Sequence, residues 1–315
     1  MKIIKRVNYI VLILTMIVSF QLNAEGIKDA TWYLSMDIDQ LQDNEIVKML
    51  KGENSEVDIP QELSYLTVYG DSRGIDDATA VITGDFRDFS IVSHILELLS
   101  AEKDASQLIK EDSLLYHDHE VKIIMVRNDG EEGEDKFKKI YFSKINDNLS
   151  VVSLHLDEIK NWIDDVYSDL DIDKDSLFAV VVNVESALAH MGMNLDDNSH
   201  MMHSQIFQKV SQVSASVTEV ADDILLEVAL SANDEAAATL IEQVINGLIA
   251  MNNLSNANNN ELHAMLMQNL SIERNANNVL INTYAALAEL KKMDMDKQLN
   301  GEEKTVVELK PLKFN

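Results

Sequence analysis

The 315-residue chain matches itself at a displacement of 146 residues, and this constrains its fold more than any composition figure. Met36, Asp37, Ile38 and Asp39 fall on Val182, Asn183, Val184 and Glu185. Without a gap, Asp76 and Asp77 fall on Asp222 and Asp223, and Ala78–Ile82 falls on Ile224–Val228. The apolar series Ile91, Ile95, Leu98, Leu99 then meets Ala237, Ile241, Val244, Ile245. Toward the end of each half the displacement drops to 131, where Leu156–Lys160 meets Leu287–Lys291. The acidic loop Asn128–Asp135, which the second half lacks, accounts for at least part of the shortfall. Identities are few, so the repeat is one of pattern.

Each half has the same element order. The first opens with a strand over Trp32–Ile38 and a helix from Asp39 to Leu50 with Asp39 as N-cap. Strands are expected at Ser64–Tyr69 and Ala78–Gly84, then a helix over Asp88–Glu102 with apolar residues at helical spacing. Four strands follow at Ser113–Tyr116, Val121–Arg127, Phe137–Lys144 and Leu149–Leu154, and a helix at Asp157–Asp164 closes the unit. The second half offers strands at Leu177–Val184, Gln212–Val220 and Asp223–Ser231. A long helix from Asp234 to Met251, a helix at Glu261–Gln268, a hairpin through Asn275–Asn278 and a helix at Ala286–Lys292 complete it. The expected class is α+β: two tandem duplicated units, each a ferredoxin-like β-α-β-β-α-β core extended by an antiparallel hairpin and a short closing helix. The expected divisions are a signal peptide over 1–24, units over 25–168 and 177–293, an acidic linker over 169–176 and a flexible tail over 294–315. Such a fold hosts many functions and supplies none by itself.

The N-terminus carries an address. Lys2, Lys5 and Arg6 precede the apolar run Tyr9–Phe20, and Leu22 and Ala24 fit a signal-peptidase site before Glu25. The run is shorter than the roughly 20 residues a membrane-spanning helix needs, so cleavage is expected over retention as an anchor. Cysteine is absent, which removes disulfides, thiolate metal sites and a cysteine nucleophile, and suits an oxidising compartment. Residues 1–24 hold three basic and no acidic side chains; without them 23 basic face 54 acidic residues, a net charge of −31. Such a surface repels nucleic acid and anionic lipid. The expected location is the bacterial periplasm, with the extracellular medium as the alternative.

The strongest candidate site lies between His190 and His203. This window holds His190, Met191, Met193, His200, Met201, Met202 and His203, with Asp196 and Asp197. Imidazole and thioether ligands favour copper and silver, and imidazole also takes zinc. By composition the window resembles the His/Met-rich segments of periplasmic copper- and silver-binding proteins. The corresponding stretch of the first half, Asn44–Val57, has one Met and no His, so the repeat does not demand the enrichment. Against this, Met is a common filler of apolar gaps.

Other constellations are weaker. His117, Asp118, His119 and Glu120 pair two imidazoles with two carboxylates, but at a tight turn between strands. Asp169–Asp175 begins like a calcium loop, yet Lys174 and Val180 stand where Gly and Glu are required. His94 borders an apolar helix stripe, and Trp32 and Trp162 read as packing residues. No metalloprotease, nucleophile-elbow or phosphate-loop pattern occurs. The expectation is therefore a non-catalytic exported binding or scaffold protein with a protein or small ligand as partner. A metal-binding protein using His190–His203 and a carboxylate-dependent enzyme are the alternatives.

Overall fold

The structure is a computed structural model that describes residues 30–43, 60–70, 77–100, 109–127, 137–167, 176–184, 187, 209–255, 261–290 and 292. The expected signal peptide over 1–24, residues 169–175 of the expected linker, the window His190–His203 and the expected tail over 294–315 lie outside them.

Among the described residues there are twelve strands and five helices. They are β1 (Trp32–Asp37), α1 (Ile38–Asp43), β2 (Leu63–Gly70), β3 (Thr79–Gly84), α2 (Ile91–Ser100), β4 (Ile109–Tyr116), β5 (His119–Arg127), β6 (Phe137–Asn146), β7 (Leu149–Ser153) and α3 (Leu156–Ile163). The second half supplies β8 (Phe178–Asn183), β9 (Val210–Val220), β10 (Asp223–Ala232), α4 (Glu235–Ser255), α5 (Glu261–Gln268), β11 (Ser271–Asn275) and β12 (Asn278–Ala286).

Helix starts follow local capping chemistry. Asp37 Oδ1 accepts from the Gln40 N–H at 2.8 Å, so Asp37 rather than Asp39 caps α1. Ser90 Oγ accepts from the Ser93 N–H and delays α2 to Ile91. Asp234 Oδ1 accepts from the Ala237 N–H at 2.7 Å and starts α4 where the sequence placed it. Strand β4 begins four residues before the expected Ser113, through Lys110, Glu111 and Asp112. It is one of the sheet's two edge strands, where charged side chains reach water and discourage further pairing.

All twelve strands form one sheet in the order β11-β12-β10-β9-β8-β1-β2-β3-β7-β6-β5-β4. Neighbours throughout are antiparallel. The α+β class stands; the ferredoxin-like pairing does not. A split βαβ unit keeps the two strands joined by its helix parallel, with another strand between them, whereas β1 and β2, joined through α1, lie side by side and antiparallel from Trp32↔Gly70 to Asp37↔Tyr65. Both edges of β1 are thereby taken, one by β2 and the other by β8, from Trp32↔Val182 to Met36↔Phe178. Pairing β2 directly with β1 and with β3 also costs less loop entropy than a crossover.

The two sheet faces differ. On one, α4 packs Ala237, Ala238 and Ile241 onto Val210, Ala232 and Val279, and Ile91 of α2 meets Ile82 and Phe86. On the other, Ile159 and Trp162 of α3 cover Tyr33, Tyr69, Val81, Val121 and Val151. Alternation along each strand assigns the side chains: Trp32, Leu34, Val180 and Val182 form a separate cluster on the α2/α4 face.

Candidate functional site

The densest polar chemistry among the described residues lies under α3. Glu158 Oε2 accepts from the Tyr69 hydroxyl at 2.8 Å. Glu158 Oε1 accepts from the Tyr167 hydroxyl at 3.2 Å and the Asn161 amide at 3.4 Å. Trp162 Nε1 donates to the Tyr69 oxygen at 2.9 Å. The rings of Tyr69 and Trp162 each approach Tyr167, at centroid distances of 6.4 and 5.5 Å. Burial, then the Glu158 charge, pushes the Tyr69 phenol far above its ordinary range. The phenol therefore keeps its proton and donates a hydrogen bond to Glu158. Every group in this cluster is engaged, so the arrangement suits clamping a helix to a sheet rather than moving protons.

A second group lines the rim. The β4–β5 turn has positive φ at both His117 (45°) and Asp118 (67°), as a type I′ hairpin requires. It stacks the His117 ring on Tyr116 at 4.3 Å. The Tyr116 hydroxyl donates to Asp164 Oδ2 and His117 Nδ1 donates to Asp164 Oδ1, both at 2.9 Å. Asp164 is placed by the end of α3: Asp165 is left-handed (φ 55°), and Val166 N–H to Asn161 O and Asp165 N–H to Trp162 O form a Schellman cap. Lys160 bonds Asp157 at 2.8 Å and its ammonium lies 5.9 Å from the Tyr116 ring centre.

This geometry separates the paired imidazoles. His117 turns to Asp164, whereas His119 Nδ1 donates to the Lys144 carbonyl at 3.4 Å. Among the described residues no group of three His, Asp or Glu side chains could hold a metal ion. His190, Met191, Met193, His200, Met201, Met202 and His203 all lie outside the described residues. His94 is half-buried with its ring 5.9 Å from Phe89, a packing position. Trp32 and Trp162 are both buried in core clusters.

Among the described residues a helix covers the α3 face only in the first half. On β9, β10 and β12 the same face carries Ser214, Ser216, Thr218, Leu225, Glu227, Ala229, Leu280, Asn282 and Tyr284. These are half-buried except Tyr284, which is 47 % exposed. α4 and α5 lie on the opposite face, α5 through the Thr283 hydroxyl bonded to the Leu266 carbonyl at 2.6 Å. Among the described residues no helix covers this face, which carries the hydroxyls of Ser214, Ser216, Thr218 and Tyr284, that of Thr218 donating to Ser176 Oγ at 3.4 Å. Sequence reading singled out none of it. The signal was present in β9, where Val213, Ala215 and Val217 alternate with Ser214, Ser216 and Thr218.

No family model matches the chain, and no curated protein is significantly similar to it. Among solved structures it is similar to TP0453 in crystal form III, with a TM-score of 0.43, 10 % identity, and coverage of 87 % of this chain and 96 % of that one. Crystal form IV of the same protein gives 0.43 and 10 %, over 84 % of this chain and 92 % of that one. Among the described residues no helix is long and apolar enough to cross a membrane.

Proposed function

We propose that the chain is a non-catalytic binding or scaffold protein, exported to the bacterial periplasm by residues 1–24, that presents its partner with the open face of β9, β10 and β12. The platform carries this reading. It spans three neighbouring strands and is rich in hydrogen-bonding groups, which suits a macromolecular surface. The one dense polar cluster beside it, around Glu158, is already saturated by its own neighbours.

Duplication is part of the proposal. The displacement of 146 carries β1, residues 32–37, onto β8, residues 178–183. Displacements of 146 and 131 carry the pair Thr79↔Ser153 of β3–β7 onto Leu225↔Tyr284, itself a pair of β10–β12. In the first copy that pair is buried, with its hydroxyls bonded at 2.7 Å; in the second it holds an exposed aromatic. One copy then serves as framework and the other as display surface.

The test is a photo-crosslinking residue at Ser216 or Tyr284, with Glu111 on β4 as control. The reading expects one partner captured from both platform positions and not from Glu111, and no turnover across a broad hydrolase panel. Turnover abolished by replacing a single carboxylate overturns it in favour of an enzyme. The metal reading of His190–His203 rests on seven His and Met residues in a cysteine-free chain. Calorimetry showing no Cu(I), Ag(I), Cu(II) or Zn binding at about micromolar affinity, roughly −8 kcal/mol, removes it.

A further inference from the structure

Helix α4 is apolar on more of its surface than it buries. Its core-facing line is Ala238, Ile241 and Ile245. About 100° further round, at 3.6 residues per turn, lies a second line of Leu240, Val244, Gly247 and Met251 with Leu248 beside it. Leu240 is 47 % exposed, Val244 37 %, Leu248 60 % and Met251 68 %. Nothing lies within 4 Å of where a Gly247 side chain would begin. Four exposed large apolar residues in twelve positions exceed what solitary surface residues explain.

Charge narrows the occupant. The chain carries a net charge of −28, so most of its surface repels a second copy. α4 has only Glu235 and Glu242 as charged residues in 21 positions. Glu242 is neutralised by Arg274 at 2.9 Å, and Glu235 stands in the first turn, before the stripe. Gln243 and Asn246, uncharged amides, complete the surroundings on the helix. This is a surface on which two copies can meet without like-charge contact.

Spacing gives the orientation. The intervals along Leu240, Val244, Gly247 and Met251 are four, three and four, which read the same in both directions. Against an antiparallel copy, Leu240 faces Met251 and Val244 faces Gly247, so the bulkier side chain at each level meets a flexible or missing one. Gly247 lets the backbones approach near the two-fold axis.

We propose that this protein forms a two-fold dimer by antiparallel packing of α4 on α4 through the Leu240–Met251 stripe. The contact lies on the helix-bearing side of β9, β10 and β12, so it leaves both platforms free. It stands independently of the function proposed above.

Sedimentation velocity of the purified chain, from about 0.1 to 100 μM, tests it. The expected result is a monomer–dimer equilibrium, with V244D/L248D at least 100-fold weaker in association and unchanged in its thermal melt. A chain that stays monomeric across the range overturns the proposal, whether the stripe then binds lipid vesicles, another protein or its own chain. The cysteine-free background gives a direction-sensitive arm. With a short thiol cross-linker, an L240C and M251C mixture should cross-link between chains several-fold more than either variant alone. Eleven residues separate these positions by about 16 Å along the helix. Cross-linking of each variant to itself, with none between them, indicates parallel packing and overturns the antiparallel dimer.

Discussion

Tyr69 is the residue on which the α3 clamp turns. It donates to Glu158 and accepts from Trp162, so Tyr69→Phe strands a carboxylate oxygen and an indole N–H in a part-buried site. The expected cost is about 1–3 kcal/mol in chemical denaturation, with Trp162 fluorescence altered in the folded state. A change below about 0.3 kcal/mol would mean the network does not hold the helix. At the surface, hydrogen bonding from Arg87 depresses the Asp85 carboxyl from 3.8 to about 2. A carboxyl lowered in this way contributes stability that is present above its unfolded value and lost as pH falls through its folded one. Carbon-detected NMR titration should place Asp85 near 2 in the parent, and Arg87→Gln should return it toward 3.8. At this scale the sequence exposed turn chemistry but not partners. The tight turn at His117 and Asp118 was legible; that His117 would reach Asp164, 47 positions away, was not, because only tertiary packing brings them together.

Elements were more legible than residues. Apolar periods located α2, α3 and α4, and turn chemistry located the hairpins, because both signals are local. The departures have local causes: Asp37 and Ser90 capture helix starts with their own oxygens, and edge exposure lets β4 run through three charged residues. Gly84 is an element-scale constraint that no periodicity reveals. A Cβ there would overlap the Glu62 carbonyl oxygen, where the β2–β3 register shifts between Leu63 and Tyr65. Gly84→Ala should therefore force the strands apart and cost about 2 kcal/mol or more. An urea midpoint equal to the parent's would show that the close approach is not maintained in solution.

For the whole molecule, the sequence led to the expectation of a repeat of pattern but not to the order of the strands. Element order is compatible with a split βαβ unit and with an antiparallel meander; which strand lies beside which depends on contacts distant in sequence. The metal candidate depended on composition alone, and His190–His203 lies outside the described residues. The open platform went unread because a solvent-facing strand face and one covered by a helix share the same alternation. What unites the two halves is the central pair of β1 with β8, two buried strands that make twelve into one sheet.

That pairing can be measured directly. Ser35 and Ala179 are cross-strand partners, both buried, 144 positions apart in a chain without cysteine. Paired antiparallel strands hold such partners about 4.5–5.5 Å apart at Cα, within disulfide reach. The double variant S35C/A179C should oxidise within one chain to a disulfide in the folded state, and S35C/V180C, whose second position points to the opposite face, should not. Failure of the first pair to oxidise without denaturant, or equal oxidation of both, would contradict a single sheet joined at β1 and β8.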